Sequence, residues 1–211
     1  MTFSRHFFFA ILICLSLFSC KNEVKSAEEN KANVTISDSS ESTPENSEPT
    51  IEVTPEVKNI MVNSVMIKTM ASPKLKTFSS MLVSVGLADL LMKEEGPFTL
   101  LGPSNEAFKS LDQSQLKDLL NSSNTSDLVS LIKSHVIEED LDTAALDQKI
   151  KEGNGSFKVV SMSGASYTIS RKGAEIVFTD DNGVSAQIVK GEVKGLNGVA
   201  HTLDKVLGVE N

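Results

Sequence analysis

Apolar and polar positions divide the chain into three stretches of different character. Residues 7–18 form an almost unbroken apolar run between Arg5-His6 and Ser19-Cys20. Residues 21–58 show no period, hold no aromatic side chain, and are rich in Ser, Thr, Asn and Glu, with Pro44, Pro49 and Pro55 interspersed. From residue 59 onward a helical period comes first and short β-type runs follow. Ile60, Met61, Val65, Met66 and Ile67 predict a first helix over 59–70. Ser72-Pro73 then offers an N-cap with proline at the first helical position, and Leu75, Phe78, Met81, Leu82 and Val85 share one face up to a left-handed end at Gly86. The apolar run 98–101, set between Gly96-Pro97 and Gly102-Pro103, reads as a buried strand. Ser104 can cap a helix opening at Asn105, with Glu106 in the first turn where the helix dipole favours an anion.

Leu116, Leu119 and Leu120 continue the helical layer, and Thr125 or Ser126 opens a helix whose face is Leu128, Leu131 and Ile132. Short β-rich runs then occupy 157–160, 167–169, 176–178, 184–193 and 199–207, divided by Gly164, Gly173 and Asp181-Asn182-Gly183. Helices first and strands later predict an α+β domain with antiparallel strands, because no strand-helix alternation supplies parallel crossovers. The organisation expected is a leader over 1–19, a linker over 20–58 and a folded domain over 59–211.

Charge removes some functions from consideration. The chain carries 28 acidic and 20 basic side chains, a net charge of −8, which gives no footing on a phosphate backbone and excludes nucleic acid as a partner. Nine acidic against four basic residues between Lys21 and Lys58 make the linker too polar to bury a core, so a disordered, extended tether is expected. Both cysteines, Cys14 and Cys20, precede the folded domain, which excludes thiol catalysis and cysteine-ligated zinc there.

The apolar run is shorter than the roughly 18 residues of a spanning helix and reads as a secretory signal. Its end, Leu17-Phe18-Ser19-Cys20, resembles the bacterial lipobox. That resemblance implies cleavage before Cys20, a diacylglycerol on its sulfur, and acylation of the new amine by a chain such as palmitate. The expected address is the bacterial cell envelope, with the outer membrane favoured and the domain periplasmic or surface-facing.

Gly86-Leu87-Ala88-Asp89-Leu90-Leu91, the segment from Gly96-Pro97-Phe98-Thr99 through Pro103-Ser104-Asn105-Glu106-Ala107-Phe108, and Asn197-Gly198-Val199-Ala200-His201-Thr202-Leu203-Asp204 resemble three signatures of the fasciclin domain, in the right order. The resemblance implies a wedge of two mostly antiparallel β-sheets with helices packed alongside, and adhesion or matrix contact without a cofactor. Pro97, Phe98, Thr99, Pro103, Asn105, Ala107, Phe108, Asn197, Gly198, His201 and Asp204 are its structural motif. The family's adhesive Tyr-His pair corresponds to Ser134-His135-Val136, and its Asp-Ile pair to Glu192-Val193, so His135, Val136, Glu192 and Val193 form the candidate binding surface.

The remaining chemistry is sparse. His135 and His201 are the histidines of the domain, and no second ligand at metal spacing accompanies either, so core histidines bonded to backbone groups are expected and no metal. His201 and Asp204 lie three apart on a predicted strand, on opposite faces, and no Gly-x-Ser-x-Gly elbow presents a nucleophile, so no enzyme is expected. Asn197-Gly198 suits a tight turn into a last strand. Glu138, Glu139, Asp140 and Asp142 lack the pattern of a calcium loop and read as a solvated surface. Met61, Met66, Met70, Met81 and Met92 read as core filler. Partners expected are the membrane, through the lipid, and an extracellular or envelope protein or a glycan. With no Trp and the single Tyr167, stacking platforms for sugars are scarce, which favours protein.

Overall fold

The computed structural model describes residues 54–119 and 125–209. The leader, Cys20, the linker up to residue 53, and Leu120 lie outside the described residues. Helices α1 (Pro55–Asn63) and α2 (Val65–Ala71) replace the single helix expected over 59–70. The break is Ser64, extended at φ −61° and ψ 158°, whose Oγ accepts from Ile67 N–H at 3.2 Å. Helix α1 starts at Pro55, inside the stretch assigned to the linker, because Thr54 caps it and Pro55 suits its first position.

Helix α3 runs Lys76–Ser84, later than Ser72-Pro73 predicted. Pro73 sits instead in a turn closed by Leu75 N–H on Ser72 O at 3.2 Å. Helix α4 (Ala88–Lys93) follows, then strand β1 (Phe98–Pro103), every residue of which is buried. Ser104 caps α5 (Asn105–Lys109) as read, its Oγ accepting from Ala107 N–H at 3.1 Å. Helices α6 (Gln113–Leu119) and α7 (Thr125–Ser134) lead to the two-residue strand β2 (Val136–Ile137) and to α8 (Thr143–Glu152).

The strands after α8 are β3 (Ser156–Val160), β4 (Ser166–Lys172), β5 (Glu175–Asp180), β6 (Ser185–Gly195) and β7 (Gly198–Leu203). Strand β7 stops at Leu203 rather than 207, since Asp204 turns to pair with Gln187 and carries Val206 and Leu207 into the core. The sheet order is β2-β1-β7-β6-β5-β4-β3. One pairing differs from expectation, because β1 and β7 are parallel, from Phe98 opposite Gly198 to Pro103 opposite Leu203. The crossover that parallel strands need is made by most of the domain rather than by a single helix.

Strand β6 joins the two halves of this sheet. Its first part pairs with β5 and its last part with β7, and the register breaks between Ile188 and Glu192. Such an irregularity bends a strand and increases its twist. The curl nearly closes the sheet, since Met162 N–H, just past β3, donates to Val136 O in β2 at 2.7 Å. The result is an α+β fold with a mixed, nearly barrel-shaped sheet.

Alternation along β1 explains its unbroken apolar run. Phe98 and Leu100 face a cluster shared with the helices, including Met66, Phe78, Leu82, Leu91, Phe108 and Ile132. Leu101 faces the other way, into a cluster with Leu146, Ile150, Tyr167, Ile169, Phe178 and Leu203. A strand covered on both faces has no polar side to show.

Candidate functional site

The segments that carry the signature residues meet at one junction. Asn197, 3% exposed, occupies the connection between β6 and β7. Its Nδ2 donates to Leu91 O at 3.0 Å and Glu94 O at 2.8 Å, at the end of α4. Its Oδ1 accepts from Val65 N–H at 2.8 Å, at the start of α2. Its backbone carbonyl accepts from Phe98 N–H at 2.9 Å, at the start of β1. One amide thus satisfies orphan groups of two helix ends that would otherwise be buried unpaired.

Glycines let the backbones approach around it. A Cβ on Gly198 would lie 2.0 Å from Phe98 O, and one on Gly195 would lie 2.2 Å from Val65 N. Gly195 therefore seats the β6–β7 connection in the α1–α2 break, where Leu196 N–H donates to Asn63 O at 2.9 Å. Close approach, more than turn geometry, is the reason for Gly198, which begins β7 opposite Phe98. The sequence reading passed over Gly195, whose only signal is its place just before the turn.

Asn105 makes a second clamp of the same kind. Its Oδ1 accepts from Thr77 N–H at 3.0 Å and Thr77 Oγ1 at 3.1 Å, while its Nδ2 donates to Pro73 O at 2.8 Å. It thereby caps α3, whose own N-cap position, Leu75, has no capping side chain.

Both histidines are inside and bonded to backbone groups. His135, 1% exposed, accepts from Leu207 N–H on Nε2 at 3.3 Å, so Nδ1 carries the proton and donates to Leu131 O at 2.9 Å. Its burial outweighs the Leu131 bond and lowers its pKa to about 4. His201, fully buried, donates from Nε2 to Leu141 O at 2.6 Å, and burial lowers its pKa as well. Thr99 Oγ1 holds the same loop, donating to Glu139 O at 2.6 Å and accepting from Leu141 N–H at 2.9 Å.

This placement corrects the candidate binding surface. His135 and Val136 have essentially no exposed area, because the end of α7 runs straight into strand β2 beside β1. Val193 packs against the helix-side cluster. Glu192 is in strand β6 opposite His201. Its Oε2 accepts from both Thr143 N–H and Thr143 Oγ1 at 2.7 Å, and its Oε1 pairs with Lys194 at 2.8 Å. Lys194 also meets Asp142 at 2.9 Å. Asp142 caps α8, and the Ala145 N–H, then Lys194, hold its carboxyl below the ordinary carboxylate range. Two members of the acidic run are therefore engaged, Asp142 as a cap and Glu139 with Lys149 at 2.8 Å.

Asp204 spends its carboxylate on Gln187 N–H at 2.8 Å, away from any triad with His201. Among the described residues no three His, Cys, Asp or Glu side chains come together as metal ligands. Tyr167 is 1% exposed and offers no platform to a sugar. Of the five methionines expected as core filler, Met66 and Met81 are buried, whereas Met70 is 46% exposed.

Comparison with known proteins agrees with this geometry. A sequence model described as the Fasciclin domain matches residues 73–209. Protein sll1483 of Synechocystis is 31% identical over 134 residues, 63% of this chain and 67% of that protein. The transforming growth factor-beta-induced protein ig-h3 of Sus scrofa is 28% identical over 125 residues, 59% of this chain and 16% of its own length. Fasciclin-1 of Drosophila melanogaster is 29% identical over 113 residues, 53% of this chain and 17% of its own. The chain thus spans only a small part of either animal relative. Among solved structures, the FAS1 domain pair of the insect cell adhesion molecule fasciclin I superposes with a TM-score of 0.51 at 25% identity, over 64% of this chain and 45% of that one. The chain belongs to the fasciclin domain family.

Proposed function

We propose that this protein is a non-enzymatic, lipid-anchored protein of a bacterial cell envelope that presents its fasciclin domain for cell adhesion or for contact with an envelope or matrix protein. The observation that carries the reading is the family membership itself, a family associated with cell adhesion, to which the insect cell adhesion molecule fasciclin I belongs. The site geometry supports it. Groups that could do chemistry, His135 and His201, are buried and bonded to backbone carbonyls, and Asp204 is spent on Gln187. The lipobox-like Leu17-Phe18-Ser19-Cys20 and the acidic stretch after it supply an anchor and a spacer, an arrangement that presents a binding face away from a membrane.

Adhesion of cells expressing the full chain, compared with cells expressing a form that lacks 59–211, tests the reading. The full chain should raise adhesion and the truncated form should not, and equal adhesion by both would refute it. Mass spectrometry of the mature N-terminus should find acylated Cys20, and Cys20→Ala should move the protein out of the membrane fraction. An unmodified wild-type Cys20 would remove the anchor from the proposal and leave the adhesion assay to judge the domain.

A further inference from the structure

Two concavities of the domain are rimmed by carboxylates, one by Glu56, Glu94, Glu95 and Glu138, the other by Glu95, Asp140 and Asp142. A third has none. It is a groove of about 550 Å³ between α3, α5 and α6, with Met81, Phe108 and Leu116 in its wall and Lys76 and Lys109 as its charged groups. That volume lies within the usual range for small-molecule sites. In a chain with 28 acidic side chains, a concavity lined by lysines and free of carboxylates is a local reversal of sign.

The wall offers little to a polar ligand. Ser80 Oγ donates to Lys76 O at 3.0 Å, and Ser84 Oγ donates to Met81 O at 2.8 Å. Thr77 Oγ1 donates to Asn105 Oδ1, and the Asn105 amide is spent on clamping α3. Those hydroxyls have spent their protons, so a sugar or an extended peptide, with many polar groups to satisfy, would find as free donors mainly the two lysines, and its other acceptors would lose water there without replacement. An alkyl chain loses none. The two ammonium groups complete the picture, since ion pairs among the described residues engage Lys93, Lys149, Arg171 and Lys194 and leave Lys76 and Lys109 unengaged.

We propose that this groove binds a free long-chain alkyl carboxylate, its chain against Met81, Phe108 and Leu116 and its head group paired with Lys76 or Lys109. A concave apolar wall suits one chain, whereas a bilayer surface is met by protruding apolar groups. The binding is separate from adhesion and requires none of the signature residues except Asn105 and Phe108, which serve as wall.

The test uses the full chain reconstituted in phosphatidylcholine vesicles and a dodecanoate carrying a photoreactive diazirine. After irradiation and digestion, mass spectrometry should find the label concentrated in peptides containing 76–84 and 105–116. Unlabelled dodecanoate should compete and dodecyltrimethylammonium should not. Competitor strength should rise about two- to fourfold per methylene from octanoate to dodecanoate, as burial of successive methylenes requires. The double variant Lys76→Glu, Lys109→Glu should lower labelling about tenfold, from the lost head-group pair plus repulsion by the two new carboxylates. Ser80→Trp, at an exposed position of the wall, should block labelling while circular dichroism stays unchanged. Label spread evenly over the chain, undiminished labelling of Ser80→Trp, or equal competition by the cationic amphiphile would each overturn the proposal.

Discussion

His135 makes stability depend on pH in a way that can be worked through from its surroundings. In the fold its Nε2 accepts from Leu207 N–H and its Nδ1–H donates to Leu131 O, with the Phe78 ring 6.0 Å away and almost no exposure. Protonation would set a second ring N–H against the Leu207 N–H and would place a charge where no carboxylate answers it. Burial accordingly lowers the pKa from 6.5 to about 4. Because the folded value is the lower one, the contribution to stability is fully present above pH 6.5 and is lost as pH falls through that value towards 4. Each unit is worth about 1.4 kcal/mol, so the whole effect is about 3 kcal/mol, and roughly 2 kcal/mol of it disappears between pH 7 and 4.5. That is a substantial fraction of a typical total of about 5–15 kcal/mol. Urea unfolding followed by far-ultraviolet circular dichroism, run at intervals over this range for the wild type and His135→Gln, isolates the term. His201 has a lowered pKa too, acts in the same direction, and is present in both proteins, so it cancels. The variant should be less stable at pH 7 but lose less on acidification, by about the amount given. Parallel stability curves for the two proteins would refute the reasoning.

Other perturbations test the junction. Gly198→Ala should cost about 3 kcal/mol or more in thermal denaturation, because its Cβ would collide with Phe98 O and part β1 from β7; Gly164→Ala, with φ +86° but nothing within 4 Å, should cost only about 1 kcal/mol. Asn197→Ala leaves Leu91 O, Glu94 O and Val65 N–H without their partner and should cost about 3 kcal/mol by urea unfolding. Glu192→Ala, removing the acceptor of Thr143 N–H and Oγ1, should destabilise by about 1 kcal/mol, with early amide exchange at the start of α8 as its mark, whereas an unchanged melting temperature would show that bond to be idle.

What the sequence could reveal depended on whether the cause was local. The β1 run, the Ser104 cap and the strands over 156–195 are set by alternation, capping and turn residues within a few positions of themselves. The break at Ser64 was hidden because its apolar pattern continues from α1 into α2, while its companions Gly195, Leu196 and Asn197 arrive from more than a hundred residues away. Helix α8 was hidden for a different reason. It buries Leu146 and Ile150, a stripe too thin to stand out, and its N-cap, Asp142, reads as part of an acidic run. The start of α3 misled because its cap is Asn105, from another helix. Parallel pairing of β1 with β7 leaves no local trace at all, since alternation reports which faces are buried and not the direction of a neighbour.

The same distinction explains why the family was legible and the partner is not. Asn197 bonds to Leu91 and Glu94, Gly198 lies against Phe98, Thr99 and His201 hold one loop, and Asn105 caps α3. The three stretches that carried the resemblance, scattered over more than a hundred positions, therefore meet at Asn197 and Gly198, while Asn105, Thr99 and His201 are spent on Pro73, Thr77, Glu139 and Leu141 elsewhere in the domain. A residue committed in this way specifies how the chain closes, and its replacement would be felt first as lost stability. Recognition needs groups with bonding capacity left over and surface to offer. His135 and Val136 have neither, and Glu192 has given its carboxylate to Thr143 and Lys194. Under the adhesion proposal, exposed side chains such as Glu94, Glu95 and Glu138 have surface to offer, so a loss of adhesion upon changing those, with melting unchanged, would locate the contact there, and unchanged adhesion would place it elsewhere on the surface.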